Sequence, residues 1–451
     1  MLNRRTLIAS TVLAPLAGFA GSSLMGGGSA LAAGGGTAPV AGGGAASEVG
    51  SVPAPDGVAP GRGAGLTPTG GRVGGARSAA VPIRLPRPTG VFAVGTTELH
   101  LVDQRRDDPY VPGRPRELMI SIWYPARRPA APAPYLSPLT AEVFGEGAAI
   151  ALEQPVGAID WVGARSYGGL LAPVLPGKRP VVLFSPGFGV PRGLASISVA
   201  ELASRGYVVV TVDHTYEVAG VEFPGHRLEV QTLPPAPYAL LARTARFDDL
   251  RFVLDALARL ARGENPDAEH RSLPRGLGAV LDLDRIGAYG HSAGGLSSID
   301  LLVADPRIRA AIDMDGELGY GYDAPADCPT VARGTTRPFL LMGSGAVGPG
   351  PHDHRTDPSW GLFWERSSGW KRDLNLPNGR HYSFVDYQAL IPWFQRFFTV
   401  PPELIANTVG TADADDVLRA LRAYVPAFFD QHLRHRPHNW SSALPETEFI
   451  A

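Results

Sequence analysis

The chain has 451 residues, 44 % of them hydrophobic, with 41 Lys and Arg set against 43 Asp and Glu for a formal net charge of −2. That balance excludes the broad basic field that nucleic-acid binding needs, and the hydrophobic share is that of a globular protein with a sizeable core. The single cysteine, Cys328 in "DCPT", excludes a disulfide within the chain and a cysteine-built zinc site, so it reads as an inert structural residue.

In chain order, "MLNRRTLIASTVLAPLAGFAGSSLMGGGSALAAGGG" comes first. Arg4 and Arg5 precede an apolar run from Leu7 to Phe19 that is too short for a comfortable membrane span, and Ala30-Leu31-Ala32 offers the small residues of a cleavage site. Residues 1–32 are therefore expected to be a twin-arginine-like export signal, which makes the mature protein secreted. Residues 33–81 are mostly Gly, Ala, Pro and Ser and bury too little apolar surface to offset their ordering entropy, which predicts a flexible linker. Residues 82–440 are left as the folded domain.

Within that domain "FAVGTTELHLVD" (92–103) and "RELMISIWYPA" (116–126) alternate apolar and polar residues as half-buried strands do. "RPVVLFSPGFG" (179–189) is a short apolar run stopped by Pro186 and Gly187. "SISVAELASRGYVVVTVDH" (196–214) reads as a helix followed by a buried strand, and 239–260 has helical spacing throughout. Further strands are predicted at 285–292, 309–316 and 337–345, a weaker one at 371–376, and a closing helix at 415–433 with Pro426 inside it. Strands alternating with helices imply a mostly parallel central sheet flanked by helices, an α/β arrangement that suits the α/β-hydrolase fold.

The strand "RIGAYG" runs into Gly290-His291-Ser292-Ala293-Gly294, a G-x-S-x-G turn, and then into a helix. A sharp strand-to-helix turn holds a serine hydroxyl clear of the sheet edge, and the helix start turns its N–H groups toward developing negative charge. Ser292 is the predicted nucleophile. A serine hydroxyl needs a base and a residue that orients the base, and on this fold the order is Ser, acid, His. Of Asp313, Asp315 and Glu317 in "AAIDMDGEL", Asp315 is favoured because it should emerge just past its strand, with Asp313 still inside it. Of 11 histidines, His381 stands after a predicted strand and a Pro-Asn-Gly turn, where an imidazole can take and return a proton near neutral pH. His291 is expected to pack, and His352 and His354 in "PHDHRTDPSW" to sit in solvent, with no metal site. The oxyanion donors are expected to be the N–H groups of Ala293 and Phe188, the latter in a loop that Gly187 and Gly189 allow to turn inward.

Taken in order, "SPGFG", "ELASRGYVVVTVDH", "GHSAGG", "AIDMDG" and "GRHYSFVD" resemble the plasma-type platelet-activating-factor acetylhydrolase family over roughly residues 90 to 435. The resemblance implies a cofactor-free serine esterase of α/β-hydrolase fold that releases short acyl groups from lipid-like esters. It implies the same roles for Ser292, Asp315, His381, Phe188 and Ala293. The partners expected are a small-molecule or lipid ester, with transient contact at a lipid interface, and no nucleic acid. Residues 216–238 are expected to form a cap over the site, and Tyr216, Trp360 and Trp364 to line an apolar cleft. Alternatives are a lipase or cutinase-like polyester hydrolase and, from another class, a non-catalytic binding module on the same fold.

Overall fold

The runs Val181–Phe184, Val208–Val210 and Ile286–Tyr289 carry no polar side chain at positions meant for either face, so each can be covered on both faces, as parallel strands require. The computed structural model describes residues 79–234, 239–319, 325–345 and 350–451. The predicted export signal and nearly all of the predicted linker lie outside the described residues.

The main sheet contains 11 strands. They are β1 (Ala93–Asp107), β2 (Pro115–Ala126), β3 (Pro132–Pro134), β4 (Arg165–Leu170), β5 (Arg179–Ser185) and β6 (Val208–Asp213), then β7 (Leu281–His291), β8 (Ile308–Met314), β9 (Phe339–Ser344), β10 (Lys371–Leu376) and β11 (Glu448–Phe449). Their spatial order is β11-β10-β9-β8-β7-β5-β6-β2-β1-β4-β3. The strands from β10 to β6 run parallel, and β2, β1 and β11 join antiparallel to their inward neighbours. The predicted strand pair at the start is thus an antiparallel hairpin, and the weak candidate at 371–376 is a full strand. The chain adds to the sheet beyond residue 440, because Glu448 and Phe449 pair with β10 and the Phe449 ring packs edge-on against Tyr424.

The helices are α1 (Pro138–Ala151), α2 (Ser196–Ser204), α3 (Ala239–Ala261), α4 (Ala293–Ala304), α5 (Pro329–Arg333), α6 (Pro358–Arg366), α7 (Tyr387–Phe394), α8 (Pro402–Thr408) and α9 (Ala414–Arg434). Alternate strand residues face two cores. Val181, Leu183, Val208, Val210, Ile286 and Ala288 pack against α3 and α4 on one side. Val182, Phe184, Val209 and Tyr289 pack against α2 and α9 on the other. Pro426 lies buried inside α9 without ending it.

This layering sets β5, β7, β8 and β9 side by side with their C-terminal ends at one edge, where crossover loops place functional groups on such sheets. Within the expected cap, Gly220–Phe223 and Arg227–Val230 form an antiparallel hairpin. It is tied to α1 by Leu139 N–H donating to Glu222 (2.7 Å) and by the Thr140 hydroxyl donating to Gly220 (3.2 Å). Residues 235–238 of that segment lie outside the described residues.

Candidate active site

At the end of β7 the backbone of Ser292 takes φ 55° and ψ −125°, and α4 starts at the next residue. A non-glycine residue at positive φ costs roughly 1–2 kcal/mol. Ser292 N–H offsets part of this by donating to Met314 O (2.8 Å), and its carbonyl accepts from Leu296 N–H (3.1 Å). Two glycines make the turn sterically feasible. A Cβ on Gly294 would overlap the Ser185 carbonyl, and one on Gly290 would overlap the Gly294 carbonyl. The outcome is a half-buried serine on a tight turn at the head of a 12-residue helix whose first N–H is that of Ala293.

Asp315 stands one residue past β8, also at positive φ (62°). Its N–H donates to Met342 O (2.9 Å), which turns the side chain back over the strand ends. Its carboxylate accepts four hydrogen bonds. Oδ1 takes Ser344 N–H (2.7 Å) and His352 Nδ1 (2.9 Å), and Oδ2 takes the Ser344 hydroxyl (3.0 Å) and His381 Nδ1 (2.6 Å). Burial alone would raise this carboxyl, but His352 and His381 beside it hold it well below the usual range. Asp313 behaves oppositely. It lies inside β8, accepts Gly316 N–H (3.0 Å), and is pushed well above the ordinary carboxylate range by burial. Of the two aspartates, the one bonded to His381 is Asp315.

His381 opens a short 3-10 turn (His381–Phe384) after β10 and the Pro377-Asn378-Gly379 bend. Its backbone carbonyl accepts a hydrogen bond from His291 Nε2 (2.7 Å), and the two rings lie 4.5 Å apart. His291 is fully buried, and burial with His381 alongside depresses it to about 3, so it is a neutral clamp that seats the His381 loop beside Ser292. With its Nδ1 spent on Asp315, the ring of His381 keeps Nε2 for another partner. Among the described residues no hydrogen bond joins that ring to the Ser292 hydroxyl. In unliganded enzymes such bonds are often long and tighten when substrate binds.

The loop after β5 lies against the serine. A Cβ on Gly187 would stand 2.9 Å from His291 Nδ1 and 3.3 Å from Ser292 Cβ, so only glycine lets this strand end come so near. Gly189 follows at φ 76°. Phe188, between them, is half-buried beside the turn that carries Ser292 and Ala293. From beneath, Arg246 donates to Pro186 O (2.6 Å) and pairs with Glu217 (2.6 Å).

Directly below runs a hydrogen-bonded Ser-His-Asp chain that the sequence reading missed. The Ser185 hydroxyl is 3.0 Å from His214 Nε2, and His214 Nδ1 is 2.9 Å from Asp249 Oδ2. All three residues are buried, Asp249 also binds Arg116 (2.7 Å) and Arg106 (2.6 Å), and burial together with Arg246 lowers His214. Sealed from substrate, this chain is a strut under the loop that carries Phe188.

Other expectations are corrected. His352 does not sit in solvent: it binds Asp315, and its ring stacks on Trp360 at 4.0 Å. His354 binds Asp373 (2.7 Å) and stacks on Trp364 at 4.1 Å. The three proposed pocket residues form no common wall. Trp360 is fully buried behind Asp315, its indole N–H donating to Gly316 O (2.7 Å). Trp364 lies between His354 and Lys371, and Tyr216 is buried beside Tyr110 with its hydroxyl on Glu229 (3.2 Å). Ser344 and His352 are the site residues that sequence reasoning missed. Cys328 is buried, bonded to Arg243 (3.0 Å) and Leu318 O (3.2 Å), as an inert residue would be.

The family described as "Platelet-activating factor acetylhydrolase, isoform II" matches residues 80–224. A solved ferulic acid esterase from Streptomyces cinnamoneus is 36 % identical, with a TM-score of 0.65, covering 83 % of this chain and 100 % of its own. A probable 1-alkyl-2-acetylglycerophosphocholine esterase of Arthroderma benhamiae is 28 % identical over 396 residues, 81 % of this chain and 93 % of its own length. The chain belongs to the platelet-activating factor acetylhydrolase family. It is a carboxylic ester hydrolase of α/β-hydrolase fold. Another relative in this family, the platelet-activating factor acetylhydrolase of Cavia porcellus, is 24 % identical over 265 residues, 51 % of this chain and 55 % of its own.

Proposed function

We propose that this family member is a secreted serine esterase that hydrolyses short-acyl or lipid-like carboxylic esters through an acyl-enzyme on Ser292. The observation that carries the reading is the 2.6 Å bond from His381 to Asp315, made beside a serine at positive φ on a strand-to-helix turn. Asp315, ionised and accepting Nδ1–H, fixes the tautomer of His381 in which Nε2 is the lone-pair nitrogen. That nitrogen takes the Ser292 proton as the oxygen attacks the ester carbon. The carbonyl oxygen, now negative, is received by the N–H groups of Ala293 and Phe188, each donor typically worth about 3 kcal/mol. The imidazolium returns the proton to the alcohol as the ester C–O bond breaks. A water, deprotonated by the same nitrogen, then releases the acid and restores Ser292.

Export is supported by Arg4 and Arg5 ahead of the apolar run and by the small residues near Ala32. A second substrate class is an aromatic acyl ester, favoured by the 36 % identity to a ferulic acid esterase that aligns over its whole length. A panel of p-nitrophenyl esters of increasing acyl length, a short-acyl phospholipid and methyl ferulate separates these readings. The proposal expects kcat/KM to fall steeply beyond short acyl chains. Undiminished rates on long chains would favour a lipase or polyester hydrolase, and a preference for the ferulate would favour the aromatic class. No turnover of any ester would overturn the proposal.

A further inference from the structure

The mechanism above uses one imidazole on Asp315, yet the carboxylate holds two. His352 Nδ1 lies 2.9 Å from Asp315 Oδ1, and its Nε2 faces Asp357 Oδ2 at 3.8 Å. Neither His352 Nε2 nor Asp357 Oδ2 has a hydrogen-bond partner among the described residues. A neutral ring would have to turn a lone pair toward one of these two carboxylates, whereas a doubly protonated ring presents N–H to both. The ring's placement is built in. His352 N–H donates to Ser344 O (3.0 Å), Asn375 donates to His352 O (3.2 Å), and the ring stacks on Trp360 at 27°. The side chain is only 18 % exposed.

We propose that His352, held as an imidazolium between Asp315 and Asp357, is a positioning residue that keeps the Asp315 carboxylate ionised and aimed at His381 and sets the pH at which His381 becomes an active base. The inference rests on the triad reading of Ser292, Asp315 and His381. The titratable groups facing the ring are Asp315 and Asp313 from β8 and its loop, and Asp357 at the start of α6; His381 shares Asp315 from the far side. Burial alone would depress the ring, but Asp315, Asp357 and Asp313 raise it to about 9. The two flanking carboxylates, at 2.9 and 3.8 Å, thus favour the cation near neutral pH.

Two effects follow, and both extend activity toward lower pH. The cation stabilises Asp315 as an anion, which preserves the tautomer of His381 as pH falls. It also repels a proton arriving on His381, one carboxylate away, and so extends the deprotonated base to lower pH. Removing the cation should therefore show in the acid limb of the pH–rate profile, which reports the essential base.

The test compares His352→Asn, whose amide nitrogen can still donate from the place of Nδ1 without charge, with His352→Phe, which keeps the ring stack and neither donor nor charge. The acid limb of kcat/KM should move to higher pH by about one unit in both, with plateau kcat lowered less in the Asn variant than in the Phe variant, where it falls about tenfold. Limbs unmoved in both variants, with melting curves showing folded protein, would overturn the inference, since a merely structural residue lowers kcat at every pH alike. The wild-type protein gives an independent readout by ¹⁵N-histidine NMR. One ring, absent from the His352→Asn spectrum, should carry protons on both nitrogens at pH 7.5, and a singly protonated ring would also overturn the inference. An inactive Ser292→Ala protein alongside unmoved limbs would sink the role of His352 and leave the triad standing. A fully active Ser292→Ala protein would sink the triad reading instead.

Discussion

Asp315→Asn is the substitution whose consequence the structure defines most fully. Oδ1 of Asp315 receives a backbone N–H from Ser344 (2.7 Å), which can only donate, so the amide oxygen of an asparagine must take that place. Its NH2 group then replaces Oδ2 and points at His381 Nδ1, where an acceptor stood at 2.6 Å. To avoid two donors facing each other, His381 must put its lone pair on Nδ1 and its proton on Nε2. The ring is then in the wrong tautomer to deprotonate Ser292. A comparable reversal in a Ser-His-Asp enzyme lowers kcat about 10⁴-fold, which corresponds to about 5.5 kcal/mol in the barrier. The same change removes the anion from the largely buried His352 ring, and breaking a buried pair from one side costs on the order of 3 kcal/mol. Melting temperature should therefore fall by roughly 4 °C. The assay is p-nitrophenyl acetate hydrolysis at pH 7.5 beside a thermal melt. Turnover within tenfold of wild type in a folded variant would refute the reasoning, because Asp315 would then not be selecting the tautomer of His381.

Gly187→Ala places a methyl group 2.9 Å from the buried His291 ring, which is pinned to the His381 carbonyl, so the loop rather than the ring must yield. Displacing the Phe188 N–H should lower kcat on the order of 10²-fold with a small change in melting temperature, and unchanged kcat would remove Phe188 from the oxyanion role. His100, far from the site in β1, bonds Glu269 with Nδ1 (2.8 Å) and Glu117 with Nε2 (2.9 Å). Burial opposes its protonation, but the two carboxylates outweigh it and raise the ring above its ordinary value. A raised folded-state value contributes stability that is full below the unfolded value of about 6.5 and is lost as pH rises through the folded one. The stability gap between wild type and His100→Gln, measured by urea unfolding, should therefore be largest near pH 6 and shrink at alkaline pH; a gap that widens with pH would contradict the pairing.

Local patterns made much of this legible. The runs of β5 to β10 and the spacing of α3 and α9 identify themselves by periodicity, and the glycines around Ser292 mark a turn because backbones approach there. Asp315 and His381 follow from chain order on a recognisable sheet. His352 and Ser344 were not legible, because their bonds to Asp315 join positions 37 and 29 residues apart and no local pattern records them. A polar stretch such as "PHDHRTDPSW" looks solvated until the fold brings carboxylates to its rings. One signal in it was readable. Asp357 followed by Pro358 is a helix start, and the Asp357 side chain accepts from Ser359 and Trp360 N–H at the head of α6. A helix there turns Trp360 inward behind Asp315, where its indole N–H meets Gly316 O, and not into the expected cleft.

The central claim is that the acyl group passes through the oxygen of Ser292. Protein reacted with a fluorophosphonate, or quenched while turning over a slow ester, and then digested for peptide mass mapping, tests it directly. The account predicts one adduct, on the peptide that contains Ser292, and none in Ser292→Ala. An adduct on Ser185 or elsewhere, or ester turnover that survives in Ser292→Ala, would contradict it.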